Sequence, residues 1–133
     1  MLIFNSNNTK IIVGENSKEN TYITSFANPC YGFMHISDNS GPHVIICQKE
    51  ELSKELKKDA AVLAIHYSNI KTHLKKYFVD FVRINQIQVK SSYGKVLLTN
   101  PQKLTIFINK ERQRLDKLLQ TKTKKKITEN TMF

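Results

Sequence analysis

The chain has 133 residues, with 21 Lys plus Arg against 11 Asp plus Glu, a formal charge of +10 and a pI near 9.7. That length suits a single core, and a hydrophobic fraction of 40%, with Lys, Asn, Ser and Thr rather than Pro and Gly making up the balance, is globular and excludes a disordered chain. No window approaches the roughly 20 consecutive apolar residues of a membrane span, MLIFNSNNTK lacks the layout of a secretory signal, and two cysteines are too few for a stapled extracellular scaffold.

These exclusions leave no expected membrane partner. They make Cys30 and Cys47 free thiols in a reducing compartment, the cytosol first and the nucleus second. The charge surplus suits a phosphate-rich partner, although a generally cationic soluble surface would give the same balance.

In chain order, Leu2 to Phe4 and Ile11 to Val13 are short apolar runs around NSNNTK and predict an opening β-hairpin. Gly14 and Asn16 break the strand, and Ser17 is placed to cap a short helix with Tyr22, Ile23 and Phe26 on one side, closed by Asn28 and Pro29. FMHIS and HVIIC flank the cluster Asp38 to Pro42 and predict a second hairpin. Leu56, Ala60, Leu63, Tyr67, Ile70 and Leu74 alternate steps of four and three, which predicts an amphipathic helix from Ser53 to Lys75.

VDFVRINQIQV is rich in β-branched residues, but its apolar phase slips between Phe81 and Val82, so a long strand with a bulge or break is expected. KVLL and LTIFI supply two more strands, with turns in SSYG and TNPQ. From Asn109 onward Leu115, Leu118 and Leu119 form a thin apolar stripe in a charged helix. That helix fades into a basic tail, Lys122, Lys124, Lys125 and Lys126, read as a solvated arm that either attracts phosphate or merely solubilises. The expected fold is α+β. A mixed, mostly antiparallel sheet is built from hairpins, one long amphipathic helix packs on it, and a charged helix ends the chain; residues 1–109 form the domain and 110–133 the helix and tail.

A hairpin centred on Asn39 places His35 and His43 opposite one another, with Cβ atoms about 4.5–5.5 Å apart. Two such rings form a polar surface that can stack on a base or donate to a phosphate, or else are core histidines bonded to backbone carbonyls. Reach speaks against zinc on Cys30, His35, His43 and Cys47 unless the strand is broken there. At about 3.3 Å per residue, Cys47 lies roughly 13 Å along the strand from His43, and neither CxxC nor HExxH occurs.

No GxSxG elbow and no catalytic cysteine signature is present, GENSKEN has one glycine where a phosphate-cradling loop needs several, and Glu50 and Glu51 suit a solvated helix entry. An enzyme, a metal and a cofactor are therefore not expected. What remains is dispersed cationic surface, Lys71, Lys75, Lys76, Arg83, Lys90 and Lys95, with Tyr93 and the histidines as planar groups. This combination gives phosphate affinity and base stacking without sequence readout.

The segments IIVGENSKEN, GFMHISDNSGPHVII, DAAVLAIHYSNIK, VDFVRINQIQVK, YGKV and LTIFI, in that order, resemble the NFACT-R domain, and they span most of the chain. Gly14, Asn16 and Asn20 match the family's G-x-N-x-x-x-N stretch; His35 takes the histidine of its D-x-W-x-H motif, and His43, Val44 and Ile45 take its H-V-V run. Asp59, Ala60, Ala61, Ala64, Tyr67 and Ser68 resemble its alanine-rich helix ending in Y-S, and Val89, Lys90 and Gly94 its V-K and G positions. The family's Asp and Trp are here Tyr31 and Phe33.

The layout is similar to the family's standalone form, one domain followed by a charged, coiled-coil-like helix. The resemblance implies an RNA-binding module that engages tRNA or ribosomal RNA, with the ribosome as partner and ribosome-associated quality control as setting. The motif positions His35, His43, Asn20, Ser68 and Lys90, together with Lys71, Arg83 and Lys95 of the cationic surface, are the expected nucleic-acid contacts. Two other readings remain: a protein adaptor that offers Leu115, Leu118 and Leu119 to a groove, and DNA binding by the same basic surface.

Overall fold

The structure, a computed structural model, describes residues 1–70, 74–89 and 95–128, with Val89 described by its backbone alone. The opening hairpin forms as the sequence predicts, from β1 (Leu2–Ser6) and β2 (Thr9–Val13). Its two-residue turn holds Asn7 and Asn8 at φ 47° and 69°. Asparagine tolerates that left-handed conformation, and the turn's twist matches that of the flanking strands.

Helix α1 (Ser17–Phe26) is capped by Asn16 rather than Ser17: the Asn16 side chain accepts from the Glu19 N–H at 2.9 Å. The second hairpin is β3 (Gly32–Ile36) with β4 (Val44–Ile46), and the register Met34 opposite Val44 and Phe33 opposite Ile45 continues to set His35 opposite His43.

Helix α2 (Lys54–His66) starts where expected, with the Ser53 Oγ accepting from the Leu56 N–H at 3.1 Å. It does not run to Lys75. The Ser68 hydroxyl donates to the Ile65 carbonyl at 2.7 Å and the Asn69 N–H to the Ser40 carbonyl at 3.4 Å, which draws the chain off the helix axis. Ile70 still packs against the core, so its spacing recorded burial and not helix, whereas Leu74 is exposed.

The long strand is interrupted after Arg83, not between Phe81 and Val82: β5 (Lys76–Arg83) gives way to a 3-10 turn over Ile84–Gln86 and then to β6 (Ile87–Val89). Strands β7 (Val96–Leu98) and β8 (Gln102–Phe107), helix α3 (Arg112–Leu119) and a short β9 (Thr123–Lys124) follow.

Among the described residues, seven strands make one antiparallel sheet in the order β8-β5-β3-β4-β2-β1-β9, and β6 with β7 forms a separate ribbon. Strand alternation divides the apolar side chains between the two faces. On one face, Phe4, Met34, Ile36 and Val79 pack under α2 and α3. On the other, Ile12, Phe33, Ile45 and Val82 meet Ile23 and Ala27 of α1 and, from the ribbon, Ile87, Val96 and Leu98. Each fully buried aliphatic or phenyl side chain contributes about 1.5–3 kcal/mol.

The C-terminal segment departs from the expected free arm. Leu118 is buried and Leu115 and Leu119 pack on the core, so the leucine stripe intended for a partner groove is occupied by this domain's own α2 face. Arg114 fixes the docking, with Nε 2.6 Å from Glu111, Nη1 2.7 Å from Asp59, and Nη2 bonded to Glu55. Beyond the helix, Thr123 and Lys124 pair with Ile3 and Leu2, and the Lys125 N–H donates to the Met1 carbonyl at 3.0 Å.

Candidate nucleic-acid interface

A row of polar side chains crosses the α1 face of the sheet at the mouth of the β3–β4 hairpin. It starts at Lys103 on β8, whose Nζ lies 3.3 Å from Asp80 Oδ1 and donates to Ser37 Oγ at 3.2 Å. Asp80 on β5 stands opposite His35 on β3, and the His35 ring meets the His43 ring edge-on with centroids 5.8 Å apart. At the inner end, the Thr24 hydroxyl and His43 Nδ1 share a 2.6 Å hydrogen bond, and Asn20 Oδ1 accepts from the His43 N–H at 3.1 Å.

The two histidines do different things. His43 is only 2% exposed, with the Phe33 ring edge-on at 5.0 Å and its backbone carbonyl accepting from the Gly14 N–H at 3.1 Å. It is a core histidine and not half of an exposed pair. His35 is half-buried and lines an open cleft. Burial pushes its imidazole below the ordinary value, against the opposing pull of the Ile36 and Gly41 backbone and the Asp80 carboxylate. At neutral pH it therefore offers a flat, uncharged ring face to the cleft.

The cleft encloses about 840 Å³ between the hairpin turn at Asp38 to Pro42, the segment Gly14 to Asn20, and Lys95 to Leu98 at the ribbon. Glu15, Asp38 and Asp80 line it together with Lys95, so its lining is of mixed charge. Carboxylates and a neutral imidazole suit the amino and ring-nitrogen edges of a base, while phosphates are left to the surrounding lysines.

The other residues proposed from the sequence fall into three groups. Lys95 is exposed on the cleft rim, as a phosphate contact requires. Asn20, Ser68 and Arg83 make bonds within the fold. Asn20 is buried over Gly14, where a Cβ would come within 2.0 Å of its Oδ1, and Ser68 braces the end of α2 against Gly41. Arg83 spends its guanidinium on carbonyls: Nη1 on Cys30 at 2.8 Å and on Gln48 at 2.9 Å, Nη2 on Glu50 at 2.8 Å.

In the tail, Lys122 and Lys126 are exposed, Lys124 lies 3.4 Å from Glu15, and Lys125 is held by its backbone. Lys71, Lys90 and Tyr93 lie outside the described residues. Lys76 begins β5 and Lys75 directly precedes it, so neither is late in a helix. Phe33, which stands where the family has tryptophan, is fully buried with its ring parallel to that of His35, centroids 6.4 Å apart, so it packs beneath the site. Sequence reasoning missed Lys103 and Asp80; the signal was their common phase with His35 across three strands, legible only once β5 and β8 are known to pair.

A basic α+β domain with an open polar cleft on one sheet face defines a binding module of the nucleic-acid class. The model of the NFACT protein RNA binding domain matches residues 1–100, and the chain belongs to that family. Among solved structures, it is similar to the C-terminal part of the fibronectin/fibrinogen-binding protein from Streptococcus suis, with a TM-score of 0.77 and 25% identity over 91% of this chain. This chain spans about half of that one, 48% of its length. No curated protein matches the sequence.

Proposed function

We propose that this domain is a non-enzymatic module that binds tRNA or ribosomal RNA in ribosome-associated quality control, in the cytosol. The observation that carries the reading is the match to an RNA-binding domain over residues 1–100. The geometry supports it: His35 presents an uncharged ring in an open cleft, with Lys95 at the rim and a net charge of +10 to draw in a polyanion. The family match is to a binding domain, so the reading is capture without bond making.

The test is titration against labelled tRNA and duplex DNA at several salt concentrations, for wild type and His35→Ala. His43 stays untouched because its substitution would disturb the core. Tighter binding to tRNA, weakening steeply with salt and lost in His35→Ala, is the expected result. Equal affinity for both nucleic acids with no dependence on His35 would overturn the reading in favour of nonspecific charge.

A further inference from the structure

At the β5–β8 edge, the α1 face carries side chains unusual for a solvated strand surface. Alternation puts Lys76, Phe78 and Asp80 of β5 on this face, and the register sets Phe107, Thr105 and Lys103 of β8 directly opposite them. Phe78 is 41% exposed and Phe107 48%. Ammonium groups lie over both rings: Lys76 Nζ 5.3 Å and Lys103 Nζ 5.9 Å from the centre of Phe78, and Lys110 Nζ 5.3 Å from that of Phe107. The two phenylalanines are diagonal neighbours on adjacent strands, a separation of about 7–8 Å, roughly twice the 3.4 Å step between stacked bases of one strand.

We infer that this face is a stacking platform for unpaired bases of an RNA strand. Phe78 and Phe107 each take the face of one base, and Lys76, Lys103 and Lys110 swing on their flexible stems from over the rings to the neighbouring phosphates. The inference rests on the RNA-binding reading and adds a second surface to it, joined to the cleft through the row Lys103, Asp80, His35. The charge selects the occupant. Protein interfaces concentrate aromatics but deplete lysine, whereas here both exposed rings sit among lysines and Thr105, the pairing of π-face and cation that single-stranded nucleic acid requires. The rings also stand on paired strands of the sheet, so little conformational freedom is lost when a base lands on them.

The experiment titrates wild type, the double variant Phe78→Leu plus Phe107→Leu, and a control, Phe26→Leu, against a short labelled oligouridylate and a fully paired RNA duplex at one salt concentration. Leucine retains apolar bulk at both exposed positions and loses the ring. The double variant is expected to weaken oligouridylate binding about tenfold or more per ring, with duplex affinity within about twofold of wild type, since every lysine remains. The Phe26 control should bind both as wild type does.

Because the chain contains no tryptophan, Phe78→Trp supplies a second, direct readout: its fluorescence should be quenched as oligouridylate saturates it. Unchanged oligouridylate affinity in the double variant, equal loss on both RNAs, equal loss in the Phe26 control, or saturation without quenching would each overturn the platform. Wild type that binds duplex but not oligouridylate overturns the platform alone, and wild type that binds neither RNA overturns the RNA reading as well.

Discussion

Removing the Asn20 side chain separates a structural role from an RNA contact. Its Oδ1 accepts the buried His43 N–H at 3.1 Å, so Asn20→Ala leaves that donor stranded, at a cost of about 1–3 kcal/mol. Gly14→Ala should cost a similar amount for a different reason, since a Cβ there meets the same oxygen at 2.0 Å and forces a shift of about 1–3 kcal/mol. In the double variant the main obstruction is gone and only the Asn20 backbone nitrogen, 3.1 Å away, still crowds the new methyl. The two losses should therefore fall short of additive by at least about 1 kcal/mol. Urea midpoints of the four proteins, at constant slope, measure the cycle. Additivity within about 0.5 kcal/mol would refute the packing argument. Wild-type stability in Asn20→Ala, coupled to weaker tRNA binding, would return this residue to the RNA interface.

Arg83→Lys is expected to lower stability by about 1.5–3 kcal/mol, because one ammonium cannot reproduce a planar fork held by three carbonyls; the salt slope of RNA binding should not change. A reduced slope at unchanged stability would instead make Arg83 a phosphate contact. Burial lowers the imidazoles of both His35 and His66, the latter with help from Lys122, so below the ordinary value of 6.5 the unfolded chain binds more protons than the fold. Stability should fall as pH drops from 6.5 through the folded-state values and then level off, with a shallower fall in His35→Gln, as followed by urea midpoints. A gain in stability over that interval would contradict the burial of His35.

Local punctuation made both hairpins legible. The cluster from Asp38 to Pro42 permits a register in which 35 faces 43, and the rings do meet. What stayed hidden depends on partners remote in sequence. His43 finds Asn20 and Thr24 at 23 and 19 positions' distance, and Arg83 finds Cys30 at 53, so polar residues that looked available to a ligand are consumed by the fold. The overrun of α2 has a related cause: Ile70 keeps the helical spacing because it is still on the core, although the backbone has already turned at Ser68. Phe78 and Phe107 sit within apolar runs that read as buried strand. Both lie outside the cluster on which α1 and the ribbon pack, and strand patterning alone does not encode where that cluster ends.

Closure of the sheet by its last strand has a consequence for biosynthesis. Strand β1 is made well before β9, yet among the described residues its outer edge is covered by Thr121, whose Oγ1 accepts from the Asn5 N–H at 3.0 Å, and by β9, in a closure that links Met1 to Lys125 across 124 positions. Loop-closure entropy grows slowly with length, about 0.6 kcal/mol per doubling, so the finished molecule tolerates the span. The nascent chain is in a different position. Its two hairpins can pair locally and early, but the β1 edge stays bare until residues 121–124 arrive, and a bare edge is a template for another chain. The residues that look like a solubilising tail thus act as the final seam, and a chain cut ahead of Thr121 would carry its most adhesive state for life.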